Sequence, residues 1–236
     1  MDVSGKVVWI TGSGRGIGKE IAVQLAEKGA RVVVSARTDE EIDKVSSHIN
    51  ANGDSAVAIN CDVNDPQQIK SLLDQTKDMW GPIDILINNA GIGIFKKIID
   101  LTNEDWNALI SNNLTSAFYC VKSVLPDMME RRSGLIVNIV SVAGRYAYPN
   151  SGGYCASKFG MLGFNNVLRM ETRDYGIKVT AILPGATQTA IWGDADVDFD
   201  KMISPKDVAK VVVEVCEAGY SAHIEEIVIR PQGGDL

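Results

Sequence analysis

The chain has 236 residues, 45% hydrophobic and 22% charged, enough to bury a core without disulfides or metal. A net charge of −7 and a pI near 4.9 exclude a binder of phosphate backbones, which needs a basic surface, so no nucleic acid is expected as a partner. The four cysteines, Cys61, Cys120, Cys155 and Cys216, form no C-x-x-C pair, which disfavours a zinc site or a secreted disulfide framework; no metal is expected. The first residues show no basic segment ahead of a long apolar one, and no apolar run has bilayer length. A cytoplasmic protein with no membrane association is therefore expected.

Short β-branched runs alternate with longer amphipathic stretches, the pattern of a parallel sheet with helices on both faces. In chain order the expected strands are 7–11, 31–35, 56–60, 83–88, 135–141, 178–183 and 226–229. Between them lie expected helices at 17–28, 39–52, 66–80, 103–131, 154–175 and 205–218. No repeat or Pro/Ser-rich linker interrupts the series. The expectation is a single α/β domain over residues 1–236, a Rossmann-type doubly wound parallel sheet of about seven strands. The least regular stretch is 185–204, whose acidic tip, Gly193-Asp194-Ala195-Asp196-Val197-Asp198, reads as a mobile segment after the sixth strand.

The first strand runs into Thr11-Gly12-Ser13-Gly14-Arg15-Gly16-Ile17-Gly18 and then a helix. This is a phosphate-binding turn: Gly12 allows a sharp bend, Gly16 lets backbone approach a pyrophosphate, and Gly18 permits close helix-to-sheet contact. No Gly-Lys-Ser/Thr ending follows, which disfavours an ATP-type loop. Further on, Tyr154 and Lys158 stand four residues apart, on one helical face, with Ser141 at the end of the fifth strand. An ammonium beside a phenol favours the ionised form of a group that ordinarily titrates near ~10, bringing it toward use as an acid or base near neutral pH.

Taken together and in order, these motifs resemble the classical short-chain dehydrogenase/reductase family over essentially the whole chain. The matching pieces are Thr11 to Gly18, Asp62, Asn88-Asn89-Ala90-Gly91, Asn113-Leu114, Ser141, Tyr154-x-x-x-Lys158, and Pro184-Gly185 with Thr189. The resemblance implies a carbonyl/secondary-alcohol oxidoreductase in which Tyr154 is the general acid or base. Ser141 would polarise the carbonyl, Lys158 would bind the ribose and lower the Tyr154 pKa, and Asn113 would hold a water of the proton relay. The implied cofactor set is Gly12, Ser13, Arg15, Gly16, Ile17, Gly18, Arg37, Asp62, Val63, Asn89, Ala90, Gly91, Tyr154, Lys158, Pro184, Gly185, Thr187 and Thr189. Pairing of the helices at 103–131 and 154–175 into a homodimer or homotetramer is implied as well.

Cofactor choice turns on the end of the second strand, where an acid would accept bonds from a ribose 2′-hydroxyl. That place holds Ala36 and then Arg37, and Arg15 adds a second cation, so NADP is expected. Thr38-x-x-Glu41 reads as a capping box, which occupies the nearby acid. For the substrate, a small-molecule carbonyl, Tyr146, Tyr148 and Trp192 are expected contacts, and Ile191, Trp192, Phe199 and Met202 either close over a ligand or anchor the loop. The resemblance extends to 3-oxoacyl-carrier reductases, while the ending 225–235 resembles sepiapterin reductases and 3-hydroxy acid dehydrogenases. A 3-oxoacyl, a pterin or another small or cyclic carbonyl all fit. Against these stand a non-redox family reaction and a non-catalytic dinucleotide-binding regulator.

Overall fold

In a computed structural model, residues 2–193, 197–219 and 221–234 are described; the expected mobile tip falls partly outside them, at 194–196. Seven parallel strands form one sheet in the order β3-β2-β1-β4-β5-β6-β7. They are β1 (Val7–Thr11), β2 (Arg31–Ser35), β3 (Ser55–Ala58), β4 (Ile85–Asn88), β5 (Gly134–Ile139), β6 (Ile177–Pro184) and β7 (Glu226–Ile229). The helices are α1 (Gly16–Glu27), α2 (Asp39–Ala51), α3 (Pro66–Trp80), α4 (Asn103–Ile110), α5 (Ser116–Arg131), α6 (Gly152–Thr172) and α7 (Pro205–Glu217). Among the described residues no helix is long and apolar enough to cross a membrane.

The central strands are buried on both faces, which is why they read as continuous apolar runs. Alternate residues serve opposite layers. Val8, Ile10, Val32 and Ile85 pack with Ile21 and Leu25 of α1, Ile42 of α2 and Val212 of α7. Trp9, Val33, Leu86 and Ile136 pack with Leu72 of α3, Val121 of α5 and Leu168 of α6. Helix starts follow the chain's polar punctuation: Asp65 accepts from Gln67 N ahead of Pro66, Ser204 accepts from Lys206 N ahead of Pro205, and Thr102 with Asp105 forms a reciprocal capping box.

Two departures bear on the site. The expected helix 103–131 is two helices joined by a π-helical turn, Ser111–Thr115, which carries buried Asn113 inward. The expected capping box Thr38/Glu41 does not form: Thr38 makes no side-chain bond at the start of α2, and Glu41 turns instead to Arg15, with Oε1 3.5 Å from Nη1.

A row of buried amides crosses this apolar interior. Asn88 Nδ2 donates to Asn138 Oδ1 at 2.9 Å, and Asn138 Nδ2 donates to Asn165 Oδ1 at 2.9 Å, joining β4, β5 and α6. Strand order reverses between β1 and β4, so the loops beyond their carboxyl ends diverge and leave a crevice there.

Candidate active site

One side of that crevice is built by the glycine turn. Gly12 (φ +63°) and Gly16 (φ +56°) adopt left-handed backbone, and a Cβ on Gly12 would meet Ala90 Cα at 2.9 Å. Thr11 ties this turn to the one after β4: its Oγ1 accepts from Asn89 N (3.0 Å) and Ala90 N (2.9 Å), while Asn89 Nδ2 donates to Thr11 O and Gly12 O. Helix α1 starts without a side-chain cap, leaving its first N–H groups and positive dipole end facing the crevice. Gly12, Arg15, Gly16, Ile17, Ala36, Arg37, Glu41, Asp62, Val63, Asn89, Ala90 and Gly91 all line this half. Among the described residues Arg37 forms no ion pair, so Arg15 and Arg37 offer two cations here, with Glu41 already holding one.

The adjoining cavity, about 620 Å³, is lined by Ser141, Tyr154, Lys158, Tyr148, Pro184, Gly185, Thr187, Thr189 and Trp192, as well as Asn89 and Gly91. Ser141 and Tyr154 line the same wall, and hydrogen bonding from Ser141 favours the ionised phenol. Burial pushes the Tyr154 phenol up to about 12, opposed by that hydrogen bonding. Lys158 is not among the influences on the phenol, so the expected lowering by it is not seen here. Lys158 Nζ donates to Ile139 O at 3.0 Å and lies 5.8 Å from the centre of the Tyr154 ring, and burial drops its own pKa to about 8. Desolvation is the largest influence on both Tyr154 and Lys158.

Asn113 is 2% exposed and its amide is spent on structure. Its Oδ1 accepts from Ile92 N (2.8 Å), and Nδ2 donates to Ile92 O (3.0 Å) and Ser157 Oγ (3.0 Å). Ser157 in turn donates to Tyr154 O at 2.7 Å, so the π turn braces the helix bearing the phenol.

Three expected contacts stand apart. Ser13 is buried and bonds Ile10 O and Ser35 N, and Gly18 packs where a Cβ would meet Asn89 Nδ2 at 2.5 Å; neither lines the crevice. Tyr146 is 47% exposed, outside both halves, with the Arg230 guanidinium 4.7 Å over its ring. Of the loop's apolar groups, Ile191 and Trp192 line the cavity, Met202 is buried against the body and Phe199 is exposed. The residue reading missed Phe95, which stacks on Trp192 (centroids 5.4 Å apart, 19° between planes) and meets the Tyr154 ring edge-on at 5.4 Å. Its one signal was an aromatic four residues beyond Gly91.

This crevice, with a glycine-turn half and a Ser/Tyr/Lys half, marks a dinucleotide-dependent oxidoreductase. Residues 6–198 match the short chain dehydrogenase model, and the chain belongs to that family. It is 34% identical to the sepiapterin reductase of Chlorobaculum tepidum over 98% of both chains. It is 35% identical to the 3-oxoacyl-acyl-carrier-protein reductase of Haemophilus influenzae, over 92% of this chain and 94% of that one. A metagenomic short-chain oxidoreductase solved in complex with NADP superposes with a TM-score of 0.86 at 31% identity, covering 98% of this chain and 99% of that one. The Thermococcus sibiricus alcohol dehydrogenase shares the fold at a TM-score of 0.90 and 24% identity, covering 96% and 97%.

Proposed function

We propose that the protein is an NADP-dependent carbonyl reductase in which Tyr154 exchanges a proton with the substrate oxygen. The observation that carries this is Ser141, Tyr154 and Lys158 lining one cavity that adjoins the glycine turn. The bound cofactor would supply or accept the hydride. The glycine turn and the start of α1 would hold its pyrophosphate, Asp62, Val63 and Ala90 its adenine, Lys158 its ribose, and Thr187 and Thr189 the nicotinamide end. Close packing at Gly12 and the uncapped helix start fit such a group. As a carbonyl gains electron density on oxygen, Ser141 donates a hydrogen bond and Tyr154 gives up its proton, stabilisation felt mainly in the transition state. Asn113 positions Ile92 and, through Ser157, α6. Loss of NADPH absorbance across a ketone panel tests the assignment; NADPH binding without turnover of any carbonyl favours a regulatory dinucleotide-binding protein.

The choice of NADP rests on Arg37 just past the end of β2, where Ala36 stands in place of an acid, on Arg15 of the glycine turn, and on the NADP-bound relative. Arg37→Asp is expected to weaken NADPH binding by about 10–100-fold, the worth of a charge-assisted bond, and to leave NADH binding unchanged or stronger. Glu41→Gln, which releases Arg15, shifts the NADPH/NADH ratio the other way. Fluorescence titration of both cofactors reads this, and an unchanged ratio in Arg37→Asp sinks the assignment.

We infer a homo-oligomer that pairs α5 and α6, on the exposed apolar side chains Phe118, Phe159, Val167 and Met170 along them. Light scattering is expected to return a dimer or tetramer mass. A cytoplasmic setting is proposed on the four cysteines, all free and buried.

A further inference from the structure

The substrate end of the cavity has an unusual balance of chemistry. Its walls are Ile92, Phe95, Val142, Pro149, Ile191 and Trp192, and apolar surface predominates. Phe95 and Trp192 present a nearly parallel stack beside the phenol, and the Trp192 N–H is already committed to Thr187 O at 2.9 Å, so this wall offers ring faces and edges with no spare indole donor. Among the described lining residues the charged side chains are Lys158 and Asp198. Lys158 is turned to Ile139 O deep in the site.

Asp198 stands exposed at the mouth, its carboxyl held below the usual range by Lys201 and by the N–H of Asp200. Among the described residues of 185–204 the acids are Asp198 and Asp200 and the one cation is Lys201, which pairs with Asp198 at 3.0 Å. Outside the lining, Lys96 pairs with Asp105 and Arg145 with Glu226. Among the described lining residues a carboxylate or phosphate entering here meets the Asp198 carboxylate and no cation at the mouth.

Building on the reductase reading above, we propose that this site takes uncharged ring ketones, compact molecules whose carbonyl sits on or beside a flat ring, and rejects keto acids and carrier-bound acyl chains. The stacked pair of Phe95 and Trp192 takes the ring, and the Ser141/Tyr154 pair takes the carbonyl oxygen. The ketone carbon gains hydride from NADPH, its oxygen gains the Tyr154 proton, and NADP+ remains, so electrons and protons balance.

The test uses the full chain with NADPH and three probes: acetophenone as a neutral ring ketone, acetoacetate as a linear anion, and the acetoacetyl thioester of N-acetylcysteamine as a neutral linear acyl group. Acetophenone is expected to exceed both linear probes in kcat/KM by at least about tenfold, the scale set by shape in an apolar pocket. Trp192→Ala should raise its KM by about tenfold with the NADPH dissociation constant unchanged, while Trp192→Phe restores most of the loss. Asp198→Lys should improve acetoacetate alone. A linear probe matching acetophenone overturns the proposal, as does a Trp192→Ala variant with wild-type KM for acetophenone. Binding is read separately, by quenching of protein fluorescence that disappears in Trp192→Phe. If no probe turns over, the reductase reading fails, and the pocket's preference is still decided: quenching by acetophenone alone upholds it, and equal quenching by acetoacetate overturns it.

Discussion

Replacing Tyr154 with Phe is expected to lower kcat for ketone reduction by about 10²–10⁴-fold, the usual worth of a positioned proton donor, while the NADPH dissociation constant stays within about twofold. The separation follows from where the oxygen lies. The phenol's ring packs edge-on against Phe95 and shares a cavity wall with Ser141, whereas the glycine turn and the two arginines that would bind the distal cofactor lie in the other half of the crevice. Phe preserves the ring contact and removes only the acid. Comparable kcat values for variant and wild type would remove Tyr154 from the chemistry and leave the pair as a packing feature.

Lys158→Met is expected to cost activity and to increase stability at neutral pH. Burial holds the ammonium at about 8, against an ordinary 10.5. Below pH 8 the group is charged in both folded and unfolded chains and its burial carries the full penalty; above 10.5 it is neutral in both and the penalty vanishes. The drop corresponds to about 3 kcal/mol at 1.36 kcal/mol per unit, from which the lost bond to Ile139 O subtracts about 1 kcal/mol. A net gain of about 2 kcal/mol at pH 7 should therefore shrink as pH rises from 8 to 10.5, visible in urea midpoints at both ends. A gain that persists at pH 10.5 would place its origin in packing instead. In the wild type, kcat/KM for reduction should fall as pH rises through about 8 and Lys158, the proposed ribose ligand, loses its proton.

The sheet was legible because parallel strands covered on both faces must be apolar throughout, so Val7–Thr11 and Arg31–Ser35 stand out at their true limits. Tyr154 and Lys158 were legible because helical spacing alone puts them on one face. The π turn was not, since a shifted backbone hydrogen bond leaves no mark in residue type at 111–115. Thr38 and Glu41 have the right letters for a cap, yet the arginine that claims Glu41 arrives from 26 residues away in sequence. Tyr146 and Tyr148 sit two apart in an irregular segment with no period to separate the outward ring from the inward one. Phe95 meets Trp192 only through the fold, and the electrostatic sign of the phenol depends on burial that no spacing reveals.

The Asn88–Asn138–Asn165 row works as a key cut for one lock. Each amide sits on an element that also carries part of the crevice: Asn88 just before Asn89, Asn138 three residues before Ser141, and Asn165 two helical turns after Lys158. Sliding β5 by one residue against β4 would turn Asn138 to the opposite layer and strand its neighbours' amides in hydrocarbon, each costing about 1–3 kcal/mol. A misthreaded sheet is thereby penalised at the place where misthreading would part the hydroxyl of Ser141 from that of Tyr154. Assembly error and the parting of Ser141 from Tyr154 become a single event.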